Sequence, residues 1–319
     1  MKIIKSEVSI LEQEPGIEGL FKHIEKCGRI AYKSEDRITA DSYQRFLKML
    51  HEKGHWAVFE HGTVYLAFPT CDWNRWYSGF FKEPYCRVEE GEGTGYYYVT
   101  TNYRYILQNN LQAVMEKYWE EPGAYHKHRI STHWICSRAT SHQLVRHRQY
   151  SMIMESQRYC NYSKDKFERS ITYILPEWIY RVREDIGSTV DSLTGESRSW
   201  ILKLDGQELW DTLCCEDRTV ASRDNIWKTL EDEYFYELST DEGENLKPEE
   251  ARGILPNDTK TELIMTGFLE DFYYTPPTDS QEKAGFFYLR CAPDAQADIR
   301  RLAVSLKKQM DAHGYDKLR

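Results

Sequence analysis

The sequence lacks the features that mark several large classes of protein. No stretch approaches the eighteen or so apolar residues that a membrane-spanning helix requires. Neither a Gly-x-Gly-x-x-Gly segment nor a P-loop occurs, so the chain shows no sign of a dinucleotide-binding or Walker-type phosphate loop. The first ten residues mix Lys, Glu and Ser with Ile, unlike the apolar core of a signal peptide.

A regular pattern of cysteines is also missing. No Cys-x-x-Cys occurs and the spacing of the cysteines is irregular, which argues against a metal site and against a disulfide framework. We therefore expect free thiols, no metal, and a reduced, cytoplasmic setting. The eight cysteines are Cys27, Cys71, Cys86, Cys136, Cys160, Cys214, Cys215 and Cys291.

Positive charge is in deficit. The chain of 319 residues has 42 Lys and Arg against 51 Asp and Glu, a formal net charge of −9. Because nucleic acids and anionic membranes repel such a chain, we expect neither as a partner. The 23 Tyr and 9 Trp suit an apolar pocket or a contact between subunits.

Against this acidic background, one short segment concentrates positive charge. Arg146, His147 and Arg148 are consecutive, and Ser156 and Arg158 follow closely. Such crowding costs free energy unless an anion lies opposite, and guanidinium forks and serine hydroxyls suit phosphate oxygens. The segment predicts a site for a phosphorylated small molecule.

Hydrophobic periodicity predicts an α+β fold with antiparallel-type strands and separate helices. Strands are expected at 63–68 and 130–136, and a loop at 55–61. The triplet is expected at the C-terminal end of a helix over 139–148. Other helices are predicted over 18–32, over 41–53 with Asp41 as N-cap, and over 209–238, 259–269 and 298–310.

The segment from Arg146 to Arg158 resembles the signature of flavin-dependent (alternative) thymidylate synthases. Further matches follow in the order found in that family, at Gly54–His55, Phe59–His61, Gln143, Ala251–Pro256 and Leu289–Arg290. The resemblance implies a central, mostly antiparallel sheet flanked by helices. It also implies one domain over residues 1–319, with insertions at about 70–130 and 160–230.

The resemblance implies an enzyme that methylates dUMP to dTMP. Methylenetetrahydrofolate would donate the carbon, FAD would carry the hydride and NADPH would be the reductant. Arg290 would be catalytic, favouring loss of the N3 proton of the uracil. A homotetramer with shared active sites is implied. FAD would contact His55, Arg146, His147 and Arg148. The dUMP ligands would be Gln143, Arg146, Ser156, Gln157, Arg158, Arg252 and Arg290.

Several positions depart from the family pattern and leave alternatives open. Apolar or acidic residues stand where the best-known members have polar contacts, namely Ala57, Ile153, Met154, Phe268 and Glu270. One alternative is a related flavoenzyme that modifies another pyrimidine nucleotide, for example by hydroxymethylation. The other is a non-catalytic nucleotide-binding homologue.

Overall fold

A computed structural model describes residues 1–80, 83–158, 160–192, 194–240, 243–276 and 284–318. The strands are β1 (Lys2–Ile4), β2 (Glu7–Leu11), β3 (Thr63–Pro69), β4 (Arg87–Gly91), β5 (Tyr96–Asn102), β6 (Arg129–Ser137), β7 (Ser151–Met154), β8 (Thr172–Ile174) and β9 (Lys260–Phe268). The helices are α1 (Gly16–Tyr32), α2 (Ser42–Glu52), α3 (Thr70–Phe80), α4 (Tyr103–Gln108), α5 (Gln112–Tyr118), α6 (Arg138–Leu144), α7 (Trp178–Gly187), α8 (Gly206–Glu216), α9 (Arg218–Leu238), α10 (Pro248–Ala251), α11 (Leu269–Tyr273), α12 (Phe286–Arg290) and α13 (Ala297–Ala312). The fold is thus mixed α/β with antiparallel sheets, as predicted at that level.

The chain divides into two compact units. The first unit comprises Met1–Glu7, Ile135–Leu144 and Glu155–Glu262, and the second unit comprises Val8–Trp134, Val145–Met154 and Leu263–Arg319. A single domain with insertions at about 70–130 and 160–230 stays a prediction.

The first unit is built around a parallel pair of strands and a stack of aromatic rings. β1 and β8 pair in register, with Lys2 opposite Thr172. Trp227 lies between Tyr173 and Trp210, with ring centroids 4.5 and 4.7 Å apart and planes within 10° of parallel. All three rings are buried, so this stack forms the centre of the unit's hydrophobic core.

Two further sheets lie mainly in residues of the second unit. A four-stranded sheet has the order β2-β6-β9-β7, and a three-stranded antiparallel sheet has the order β3-β5-β4. Val64, Leu66 and Phe68 of β3 are fully buried in one core cluster, which confirms the face predicted for that strand.

Several elements differ from the sequence-based predictions. Residues 259–269, predicted as a helix, form the strand β9, in which every residue after Lys260 is buried. A strand covered on both faces shows no alternation of polar and apolar residues, so its pattern resembles that of a buried helix. The segment predicted as a loop at 55–61 contains a 3₁₀ helix, Trp56–His61.

The ends of two helices differ in detail from the sequence-based predictions. Helix α6 ends at Leu144, so the Arg-His-Arg triplet follows the helix and is not part of it. Asp41 does occupy the N-cap position of α2, but its side chain makes no capping hydrogen bond. The Ser42 hydroxyl instead accepts the backbone N–H of Thr39 at 2.9 Å.

Within the described residues, no helix is both long and apolar enough to cross a bilayer. The eight cysteines all lie in this part of the chain and all are free thiols. His, Cys, Asp and Glu side chains form no group there that could hold a metal ion.

Candidate functional site

In the second unit, Arg290 and His147 form a hydrogen-bonded pair across 143 positions of sequence. Arg290 is the last residue of α12, and its Nε donates to His147 Nε2 at 2.8 Å. The imidazole is 7% exposed and packs edge-on against Phe286, with ring centroids 5.1 Å apart. Burial, aided by the charge of Arg290, lowers the pKa of His147 to about 4, so the ring is a neutral acceptor.

Arg146 and Arg148 flank this histidine and are both exposed. Among the residues that the structure describes, neither they nor Arg290 have a carboxylate within ion-pair distance. We call Arg146, His147, Arg148 and Arg290 the cationic cluster. Three guanidinium groups without acidic partners favour an anionic ligand with several oxygens.

His55 lies in the same unit, at the start of the 3₁₀ helix that follows α2. Gly54 precedes it with a φ of 69°, a conformation that favours glycine and turns the chain out of α2. The Tyr32 hydroxyl is hydrogen-bonded to His55 Nδ1, and the two rings stack with centroids 5.9 Å apart. Tyr32, which sequence reasoning missed, therefore sets the orientation of the His55 imidazole.

In the first unit, Ser156 and Arg158 lie on one turn after β7. Arg158 Nε donates to Ser156 Oγ at 3.5 Å, and the backbone N–H of Cys160 donates to the carbonyl of Ser156 at 3.2 Å. Arg158 is exposed and Ser156 is half-buried, whereas the intervening Gln157 is buried. A hydroxyl and a guanidinium this close together can bind the same phosphate group.

The residue before this turn was also missed. Glu155 is 1% exposed, and its carboxylate accepts hydrogen bonds from Lys260 Nζ at 3.2 Å and from Tyr162 at 3.4 Å. Lys260 also forms an ion pair with Glu262. Since Glu155 adjoins Ser156 in the chain, this buried charge group anchors the turn. The sequence does not indicate this ion pair, because Lys260 is 105 positions away from Glu155 and only the folded chain brings β9 to the turn.

Gln143 and Arg252 belong to the first unit as well. Gln143 is half-buried near the end of α6. Arg252 follows α10, and its Nε donates to the carbonyl of Glu249 at 3.2 Å, which is a helix C-terminal interaction. The structure thus brings together Ser156 with Arg158, and His147 with Arg290.

Comparison with known proteins identifies the family. The family model described as "Thymidylate synthase complementing protein" (Thy1) matches residues 127–313, more than half of the chain. The chain belongs to this family. The resemblance seen in the sequence is thereby confirmed, and all the predicted site residues except His55 lie in the matched range.

Curated relatives of this Thy1-family protein carry the name flavin-dependent thymidylate synthase. The relative from Clostridium tetani is 28% identical over 168 residues, and that from Pyrococcus furiosus is 29% identical over 175 residues. The relative from Geobacter sulfurreducens is 32% identical over 170 residues, which covers 53% of this chain and 50% of the relative. The matches cover 52% and 55% of this chain for the first two, and 51% of each of those relatives. The chain thus spans about half the length of the curated relatives it matches.

A solved structure is more distant. The UMP/dUMP methylase PolB from Streptomyces cacaoi, bound with 5-Br dUMP, is 14% identical with a TM-score of 0.37. The alignment covers 98% of this chain and 90% of that chain, but this TM-score is too low to define a common fold.

Two of the positions at which this Thy1-family protein departs from the best-known members have packing partners. Phe268 is 5% exposed and lies beneath two guanidinium groups, with Arg87 4.3 Å and Arg129 5.5 Å from the ring centroid. Glu270 pairs with Arg87 at 2.6 Å and with Lys127 at 3.8 Å. These positions serve contacts within the second unit, so polar contacts to a flavin would have to come from elsewhere.

Proposed function

We propose that this protein methylates dUMP to dTMP, with methylenetetrahydrofolate as one-carbon donor and FAD with NADPH as the redox partners. The observation that carries the proposal is the order Arg146-His147-Arg148, Ser156, Arg158 within the segment that matches the Thy1 family. The names of the curated relatives support the same reaction.

We assign the binding of dUMP to Gln143, Arg146, Ser156, Gln157, Arg158, Arg252 and Arg290. The 3.5 Å contact between Ser156 and Arg158 supports placing the phosphate there. Charge-assisted hydrogen bonds from a guanidinium to a phosphate are stronger than a neutral contact between serine and arginine. The phosphate would therefore replace the contact between the two side chains and would be held by both.

We assign the catalytic role to Arg290. Its Nε is engaged by the neutral His147, which aligns the guanidinium and leaves its two terminal NH₂ groups available as donors. Directed at the uracil ring, these groups would stabilise the negative charge left when the N3 proton is lost. A protonated His147 could not accept this bond, so its low pKa belongs to the same arrangement.

We assign FAD binding to His55, Arg146, His147 and Arg148. The exposed arginines of the cationic cluster fit the anionic diphosphate of a flavin nucleotide. Phe268 and Glu270 are engaged by Arg87, so we assign them no polar contact to the flavin. When bound, FAD would supply the hydride chemistry. The residues of this chain would hold it and exclude water. We further propose a cytoplasmic homotetramer with shared active sites, with no nucleic acid or membrane as partner.

The decisive experiment supplies reduced flavin, methylenetetrahydrofolate and dUMP to the purified protein without oxygen. We expect dTMP as the product and release of tritium from C5-labelled dUMP. Arg290→Gln should fold and bind flavin, as judged by its visible absorbance, yet lose most of the turnover. If the wild-type protein binds flavin and dUMP but forms no dTMP, the methylation proposal is wrong.

One observation favours a second candidate, a flavoenzyme that modifies another pyrimidine nucleotide. Phe268 lies against Arg87 and Arg129, and Glu270 forms ion pairs with Arg87 and Lys127. Both positions are expected next to the flavin, so the surroundings of the flavin would differ from those in the best-known members. Product analysis with dUMP and dCMP in parallel separates the two reactions. A protein that binds nucleotide but shows no flavin absorbance would instead be the non-catalytic homologue.

A further inference from the structure

Tyr150 connects the last residues of β9 with the histidine of the cationic cluster. β7 and β9 pair antiparallel with Ser151 opposite Thr266, so the next pair outward sets Tyr150 beside Gly267. A Cβ atom on Gly267 would lie 2.3 Å from Cδ1 and 2.7 Å from Cε1 of the Tyr150 ring. Atoms in folded proteins do not approach so closely, so the ring can lie against β9 only because this residue has no side chain.

Two hydrogen bonds also hold Tyr150. Its hydroxyl donates to the carbonyl of Asp271 at 2.8 Å, and its backbone N–H donates to the carbonyl of His147 at 3.3 Å. Tyr150 is buried, and burial raises the pKa of its hydroxyl well above 10, so the hydroxyl stays a protonated donor. The residue is therefore fixed at its backbone, along its ring and at its hydroxyl.

The Tyr150 ring belongs to the same aromatic cluster as His147. Its centroid lies 4.8 Å from that of Phe272, 6.2 Å from that of Phe286 and 6.3 Å from that of His147, the last two edge-on. Phe286 also packs edge-on against His147, and it lies four residues before Arg290, on the same face of α12. The His147 imidazole is therefore held both by Tyr150 and by α12.

Building on the catalytic role proposed for Arg290, we propose that Tyr150 is a positioning residue for this reaction. It holds the His147 imidazole where Nε2 accepts the Nε–H of Arg290, and Gly267 makes room for it. The bond is 2.8 Å long, and a displacement of the imidazole by about 1 Å would break it. Because a group that stabilises charge electrostatically must be fixed before the reaction, Tyr150 contributes to turnover without touching the substrate.

Chemical labelling of His147 tests the proposal without turnover. Diethyl pyrocarbonate acylates the neutral imidazole nitrogens that it can reach, and mass spectrometry of chymotryptic peptides gives the rate for each histidine. In the wild-type protein without added FAD or dUMP, His147 should react slowly, because it is buried and its Nε2 is bonded. His23 and His61, which are buried in the same unit, report whether a variant has unfolded more widely.

Substitutions on both sides of the contact make the test specific. Gly267→Ala should raise the labelling rate of His147 about 10-fold, an effect typical of overpacking, because the added Cβ displaces the Tyr150 ring. Tyr150→Ala should raise it as much by removing the ring, and Gly267→Ala should add little in that background. Tyr150→Phe keeps the ring and should label nearly as slowly as the wild type. Gly79→Ala is a matched control in the second unit, because its Cβ would have no neighbour closer than 3.8 Å.

Two labelling results would overturn the proposal. One is a wild-type labelling rate of His147 in folded Tyr150→Ala. The other is an additive effect of the two alanine substitutions, which would mean that Gly267 acts elsewhere. Should Gly267→Ala not fold, the comparison of Tyr150→Ala with Tyr150→Phe decides the question.

Turnover gives an independent measurement. In Gly267→Ala, kcat should fall about 10-fold while the KM for dUMP changes much less, because Ser156 and Arg158, the proposed phosphate ligands, are left in place. An unchanged kcat in a variant with faster His147 labelling would also refute the positioning role. If the wild-type protein forms no dTMP, the methylation proposal fails, whereas the labelling rates still decide whether Tyr150 holds His147.

Discussion

Replacing Lys260 with methionine should destabilise the first unit severely. The Lys260 side chain is 16% exposed and lies between two buried carboxylates, those of Glu155 and Glu262. Methionine keeps the length and apolar stem of lysine but removes the charge. Two carboxylates would then share one buried site without the ammonium group that now pairs with both.

The size of the effect follows from the burial. Removing one partner of a buried ion pair costs roughly 3–5 kcal/mol, because the remaining charge keeps its desolvation penalty without compensation. A domain of ordinary stability has only about 5–15 kcal/mol in total, so this is a large share. We expect the midpoint of urea unfolding to fall strongly. Tryptophan fluorescence can monitor the unfolding, because the stacked Trp210 and Trp227 of the same unit contribute to it.

A second substitution separates the charge effect from packing. Lys260→Met combined with Glu155→Gln removes one buried charge and should recover a substantial part of the lost stability, so the two effects should not be additive. Lys2→Met is a matched control in the same unit, because its ion pair with Glu168 is on the surface, with side chains 51% and 73% exposed, and should change stability by at most about 1 kcal/mol. A loss below about 1 kcal/mol for Lys260→Met would refute the reasoning, since an effect that small is typical of exposed pairs.

Three further predictions concern the candidate site. Ser156→Ala should weaken dUMP binding modestly and Arg158→Ala by about 10- to 100-fold, measured by calorimetry, because only the arginine makes charge-assisted bonds. The pKa of His147 is lowered from 6.5 to about 4 in the folded protein, so the unfolded chain binds the extra proton first. The contribution of neutral His147 to the free energy of unfolding should be complete above pH 6.5 and should be lost progressively from pH 6.5 to 4, by about 3 kcal/mol. Urea titrations at each pH measure this loss. Light scattering should give about four times the chain mass of 37.9 kDa, and mixed Arg146→Ala and Arg290→Ala subunits should regain activity if sites are shared.

Each of these has a clear contrary result. A covalent adduct on Ser156 would contradict its role as a phosphate ligand. A His147→Gln variant with the same loss of stability between pH 6.5 and 4 as the wild type would show that other groups, such as the buried His23 and His61, account for it. A monomeric mass, or no recovery of activity after verified subunit exchange, would leave each chain with its own complete site.

Local features of this protein could be predicted from its sequence. The helices α1 and α13 and the strand β3 have apolar residues at regular spacing, and the structure places them where that spacing indicates. The segment from Arg146 to Arg158 predicts an anion site, because a run of guanidinium groups in an acidic chain favours a negative ligand, and this site stays a prediction. The family resemblance rested on the same local residues, and it is confirmed.

Other features depended on contacts between residues far apart in the chain. The strand β9 was wrongly predicted as a helix. It pairs with β6 and β7 in the sheet and is buried along almost its whole length, so its sequence shows no alternation of polar and apolar residues. The partners of Phe268 and Glu270 lie in the segment before the family match or at its edge, and nothing near either residue indicates them.

The electrostatics of the site were also decided by tertiary structure. A histidine next to two arginines could be charged or neutral, and the choice depends on whether it is buried. The packing of α12 brings Phe286 and Arg290 against His147, and this burial makes the ring neutral and able to accept the bond from Arg290. Sequence determines which charges a chain carries, but desolvation and distance determine what those charges do, and both are properties of the folded protein.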